Sequence, residues 1–234
     1  MRILNTVLLT VGLSFAWSAH AGAFEKKQMK DVDVAALTNE TQRMSYTDGM
    51  HIAWWIPTEY WDASMSRDAN VKDAARKKVI DILSRYSMVA VVQAEVGPLG
   101  NFKYYDRDSI TKGMKIELSD GKTWTVISPL SDVPDELAPL LKVLGPILSS
   151  AMGALGQNLN FYVLDDKAKD GRRISPYEPG SLRITLTGKS GATLEPFLIE
   201  FPLDALYVPR RCPNGKPAHI SWVVCPWDGS KLPQ

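Results

Sequence analysis

Glu59 and Asp62 stand three positions apart just behind Pro57, and four aromatic residues, Trp54, Trp55, Tyr60 and Trp61, crowd around them. A glycosidase holds two carboxylates at a fixed separation across a cleft, and this spacing puts both on one face of a helix. Aromatic rings stack on the apolar faces of sugars, and a carboxyl buried among them would titrate above its usual range. The pair is the chain's carboxylate candidate for catalysis. Acidic residues behind a proline also suit the first turn of a helix, where they oppose its dipole. The four rings carry two readings as well. They form either a ligand or partner surface, since exposed tryptophans anchor binding hot spots, or the core beneath a following helix.

Metal and nucleophile chemistry find less support. Beyond the N-terminal segment the histidines are His51 and His219, whereas a catalytic zinc takes three protein ligands with histidine prominent. A lone histidine is more often a hydrogen-bonded structural residue. Serines and aspartates are plentiful, yet the sequence has no Gly-x-Ser-x-Gly elbow and no glycine-rich phosphate loop. The run from Asp165 and Asp166 to Gly171 reads as a solvated turn of mixed charge. Neither a metal nor a cofactor is expected.

Cys212 and Cys225 are the two cysteines of the chain. Outside the cytosol such a pair reads as one disulfide, contributing about 3 kcal/mol by restricting the unfolded tail. The surrounding residues, Cys212-Pro213-Asn214-Gly215 and Cys225-Pro226-Trp227-Asp228-Gly229, resemble a zinc ribbon with its two Cys-Pro-x-Cys-Gly knuckles. Each knuckle lacks its second cysteine: Asn214 runs straight into Gly215, and Asp228 precedes Gly229. The resemblance implies a ribbon-like hairpin held by a disulfide in place of metal. In a metal-bearing version, Asp228 and His219 would be the further ligands.

The elements that must position these groups follow from periodicity. Residues 32–44 hold a short helical candidate. Met50 to Ile56 is β-branched and aromatic, and Pro57 then ends the strand and starts a helical turn. Trp54 and Trp55 would face opposite sides of the sheet. Asn70 reads as an N-cap for an amphipathic helix near 70–86, with Val71, Ala75, Val79, Ile82 and Tyr86 on its apolar stripe. Met88 to Val96 suits a central strand, and Phe102 to Tyr105 resumes it after Gly97-Pro98-Leu99-Gly100. Two strands, 114–119 and 123–128, are joined through Asp120-Gly121, a hairpin signal. Later strand candidates are 159–164, 182–187, 193–201, 205–208 and 219–224. Between them, 135–156 is helical in period, low in charge, and interrupted by Gly145-Pro146, which should break or kink it. That segment reads as a helical hairpin covering one end of the sheet, or as a peripheral membrane contact through Leu137 to Leu155. The expected fold is a β-rich α+β domain over 50–208. It is a mostly antiparallel sandwich or barrel-like sheet with an N-terminal amphipathic helix and an inserted helical segment. A lead-in (22–49) precedes it and a disulfide-linked tail (209–234) follows.

The beginning of the chain bounds the function. Arg2, the apolar run from Ile3 to Trp17 and Ala19-His20-Ala21 have the layout of a signal peptide cut after Ala21. Removing Arg2 takes the formal net charge from +1 to neutrality. A neutral chain of mixed sign lacks the basic face a nucleic-acid binder needs. The expectation is an exported protein, periplasmic or secreted. It would be a non-enzymatic binding or envelope-assembly module whose partner is a protein or an envelope polymer. The alternatives are a hydrolase of carbohydrate or envelope polymer and a protein resting on a membrane surface.

Overall fold

In the computed structural model, residues 24–169, 171–188 and 191–232 are described; the expected signal peptide, residues 1–21, lies outside them. The helices are α1 (Val34–Thr41), α2 (Thr58–Ser66), α3 (Asp73–Leu83), α4 (Arg107–Gly113) and α5 (Ala138–Ala151). The strands are β1 (Gln42–Ser45), β2 (Met50–Ile56), β3 (Tyr86–Val96), β4 (Phe102–Tyr104), β5 (Lys115–Ser119), β6 (Trp124–Ile127) and β7 (Asn160–Asp165). The remainder are β8 (Lys167–Ala168), β9 (Gly171–Arg172), β10 (Gly180–Thr185), β11 (Phe197–Phe201), β12 (Arg210–Arg211) and β13 (Pro217–Ala218).

Two antiparallel sheets result. One runs β1-β2-β3, with β7 and β4 both paired to the far side of the long strand β3; the other runs β11-β10-β5-β6. Neither closes into a barrel, so the fold is an α+β sandwich. Strand periodicity explains the layers. On β2 and β3, Ala53, Trp55, Val89 and Val91 face the second sheet and pack with Leu182, Ile184, Ile199 and Phe201. The alternate residues Trp54, Ile56, Met88 and Ala90 face outward, where Trp61 of α2, Leu83 of α3, and Leu144 and Leu148 of α5 cover them. Every residue of β2 is therefore buried, as for a strand covered on both faces.

The structure departs from the expected elements at several places, and Tyr86, expected on the apolar stripe of the helix, opens β3 instead. Asn70 does not cap α3: its backbone and side-chain N–H groups donate to Asp68, and Lys72 precedes the helix. Pro146 does not break α5, which runs through it and packs against the outer face of the first sheet; the missing N–H removes one helix bond without unseating Leu144 and Leu148. Residues 205–208 form a 3-10 turn over Asp204–Leu206 and one bridge, Lys26 to Tyr207. Residues 219–224 are turns with a single bridge from Val224 to Lys231, because the tail's short sheet is β12 with β13.

Candidate functional site

The carboxylates singled out by spacing are each held by an arginine. Glu59 accepts from Arg172 Nη1 through both oxygens, at 2.8 and 3.0 Å, and Arg172 Nε donates to Asp166 at 3.2 Å. Asp166 is not in a solvated turn; it is fully buried, its Oδ1 accepting from the Ile174 backbone at 2.7 Å. Burial raises the Asp166 pKa, and the Arg172 charge works against that rise. Asp62 accepts from Arg76 Nη1 at 2.7 Å, joining α2 to α3. Each member of the pair thus stands in an ion pair of its own, Glu59 with Arg172 and Asp62 with Arg76.

The aromatic group packs internally. Trp55 is fully buried, donates from Nε1 to Ser87 Oγ at 2.5 Å, and lies 4.9 Å from the Phe201 ring. Tyr60 stands edge-on to both Trp54 and Trp61, each at 5.2 Å. Trp54 and Trp61 are buried and Tyr60 is half-buried. The core reading thus describes these rings, because helices cover the face of β2 that would otherwise meet a partner. His51 is buried too; its Nε2 meets the Thr47 carbonyl at 3.1 Å, and its Nδ1 has no hydrogen-bond partner among the described residues.

A concave site lies at the end of the sandwich. β3 outlasts its neighbours: β2 pairs with it up to Ala94 and β7 up to Val91, leaving Glu95 and Val96 paired with β4 alone. The turn before β2 is pressed onto this end. Gly49 has φ 153°, and a Cβ there would stand 2.0 Å from the Ala94 carbonyl oxygen, so only glycine fits. From the second sheet, a hairpin closed by Leu194 N–H to Leu186 O and Gly188 N–H to Ala192 O reaches across. Gln93 Nε2 ties the sheets together by donating to Thr187 O at 2.9 Å.

The groove between these parts has two chambers that share Glu95 and Gly188. One, about 560 Å³, is lined by Lys103, Tyr104, Tyr105, Asp106 and Ser109; the other, about 570 Å³, by Tyr46, Asp48, Val96, Ala192 and Leu194. Three carboxylates, Asp48, Glu95 and Asp106, line the groove, and Lys103 is the one lysine lining it among the described residues. Lys103 stands 3.6 Å from Glu95 and is mostly solvated, a loose pair a ligand can displace. Asp106 caps α4 by accepting from the Ser109 backbone at 2.7 Å, which holds its carboxyl below the usual range. Burial, and then the Glu95 charge, raise the Tyr105 phenol. Sequence reasoning passed over this site. Its only local signal was Phe102-Lys103-Tyr104-Tyr105-Asp106, aromatic and mixed in charge where a strand meets a helix.

No family model, curated protein or solved structure matches this chain. The likeness of the tail to a zinc ribbon is accordingly corrected: no ribbon family is found, and Cys212 and Cys225 are bonded to each other with their Cα atoms 5.7 Å apart. Asp228 accepts from the Ser230 backbone and hydroxyl, while His219 Nδ1 meets Ser221 Oγ at 2.8 Å. What the tail presents instead is a row of rings, His219, Trp222 and Trp227, with Trp227 46% exposed. Among the described residues, no helix is long and apolar enough to cross a membrane.

Proposed function

We propose that this protein is an exported binding module that takes its ligand in the groove where β3 outruns β2. The observation that carries this reading is the pair of adjoining chambers, each of ligand size, on which polar groups of β3, β4, the turn before β2 and the start of α4 converge. Strands fix the site: Glu95 and Lys103 are cross-strand partners, and Tyr105 is pinned through its backbone N–H to Gln93 O. A polar groove built on paired strands is suited to holding a ligand. Export rests on the N-terminal layout, and the disulfide agrees with an oxidising compartment. The test is retention of a protein or polymer from envelope extract on the immobilised mature chain, beside the folded variant Tyr46→Ala, Glu95→Gln. Retention by the wild type and loss in the variant supports the reading; equal retention by both removes the groove from it.

One observation favours contact with a membrane surface as a second reading. The outer face of α5 leaves Val143 and Ile147 61% and 56% exposed, with Lys142 as the helix's one charge. Sedimentation with anionic vesicles, lost on Val143→Glu, would support it; failure to sediment counts against it.

A further inference from the structure

We propose that His51 is a proton-operated latch on this groove: its neutral ring holds the turn 46–49 against β3, and its protonated ring releases that turn. The inference rests on the binding reading above and adds regulation to it. The turn supplies Tyr46, Asp48 and Gly49 to the wall of one chamber. It is held from two sides. Gly49 lies against the Ala94 carbonyl, and His51 Nε2 meets the turn's own Thr47 carbonyl at 3.1 Å. A carbonyl only accepts, so Nε2 carries the proton of the neutral ring and Nδ1 is left with a bare lone pair. Little else holds the turn. The Tyr46 side chain is 69% exposed, and Asp48 has φ 58°, in the left-handed region.

The orphaned nitrogen makes the contact sensitive to pH. His51 shares the inner face of β2 with Ala53 and Trp55, is 2% exposed, and its Nδ1 has no hydrogen-bond partner among the described residues. A second proton must sit on that nitrogen. Protonation therefore puts a charge and an unpartnered N–H between the sheets, which favours any arrangement that gives the ring to water. The surroundings do not offset this. Ser45 on β1 and Gln93 on β3 are its cross-strand neighbours and carry no charge. Further along the same face, Arg43 binds the carbonyls of Asn39, Gln42 and Leu198, and Glu95 pairs with Lys103. On the hairpin from the second sheet, Thr187 and Leu194 are uncharged and Glu195 is exposed. Asp48 is the charged group that acts on the ring among the described residues. Burial lowers the pKa of His51 and outweighs the Thr47 carbonyl and the Asp48 charge, which raise it. A ring that swings out gives up the Thr47 contact, and the chamber then loses the wall that carries Tyr46.

The experiment follows amide exchange of the mature chain without ligand, corrected for the pH dependence of the chemical step, from about pH 7.5 to about pH 5. The proposal expects opening over residues 45–51 to rise by up to about tenfold per pH unit below about 6.5, the value of a solvated histidine, while residues 89–92 in the core of β3 do not change. His51→Gln keeps an N–H for Thr47 and cannot take a charge, so its opening at 45–51 should be independent of pH. The ring of wild-type His51, followed by NMR and told from His219 by His219→Ala, should titrate below the ordinary histidine value. That measurement decides the matter even where His51→Gln does not fold. Opening at 45–51 that does not change with pH, or a ring that titrates at the ordinary value in the folded chain, overturns the latch. A rise that is equal at 89–92 also overturns it, since His51 would then serve overall stability alone. Retention of envelope material should fall at the acid end for the wild type and hold for His51→Gln. Groove-dependent retention beside pH-independent exchange removes the latch and leaves the binding reading. Exchange that switches with pH beside retention indifferent to Tyr46→Ala, Glu95→Gln keeps the latch and removes the binding reading.

Discussion

Trp55→Ala separates a core ring from a binding anchor. The side chain is fully buried between the sheets, against Phe201, with Nε1 donating to the equally buried Ser87 hydroxyl. Removing a buried tryptophan costs about 3–5 kcal/mol in lost transfer energy and cavity. Leaving Ser87 without its donor adds about 1 kcal/mol or more. A total of about 4–6 kcal/mol in a chain of this size lowers the melting temperature by roughly 10–20 °C. Thermal unfolding followed by circular dichroism, with urea titration to confirm an unchanged slope, measures it. Tyr46→Ala is the internal control: that ring is largely exposed, and its loss should change stability by no more than about 0.5 kcal/mol. A Trp55→Ala shift as small as the Tyr46→Ala shift, together with lost retention of envelope material, would refute the placement of Trp55 in the core.

Arg172→Met leaves Asp166 and Glu59 buried without their cation and should cost about 3–5 kcal/mol near neutral pH. The difference from wild type should narrow as pH falls through the carboxylate range, because the orphaned Asp166, whose pKa burial already raises, becomes neutral; denaturant midpoints across pH would show it. Cys212→Ser with Cys225→Ser should lower stability by about 3 kcal/mol for a pair 13 residues apart, and limited proteolysis should then cut the tail before the sandwich. Burial lowers the His51 pKa below the ordinary histidine value, so the unfolded chain takes up this proton first as pH falls. The stability held by neutral His51 is complete above about pH 6.5 and is lost as pH drops toward the folded value. His51→Gln should flatten that slope in denaturant midpoints measured between mildly acidic and neutral pH.

Much of the architecture was legible because it is written locally. Met50 to Ile56 was bounded by Pro57, Met88 to Val96 is a long apolar run, and Asp120-Gly121 marks a turn whose glycine has φ 86°. Alternation correctly sent Trp54 and Trp55 to opposite faces. It could not say that both faces are covered, since that depends on α2, α3 and α5 meeting the same strand from distant parts of the chain. Spacing likewise paired Glu59 with Asp62, whereas the fold gives each its own arginine, from positions 172 and 76. The groove was hidden for the same reason. Residues 46–49, 95–96, 103–109, 188 and 192–194 share no motif; they meet only because β3 extends beyond its partners and Gly49 lets the turn close onto Ala94.

Amide hydrogen exchange of the mature chain, with and without the material it retains from envelope extract, tests the central claim most directly. Ligand in the groove should slow exchange at 46–49, 95–96, 103–109 and 191–194, and leave α5 and the tail unchanged. Protection confined to Val143 and Ile147 on α5, or to Trp222 and Trp227 in the tail, with the groove unaffected, would contradict it.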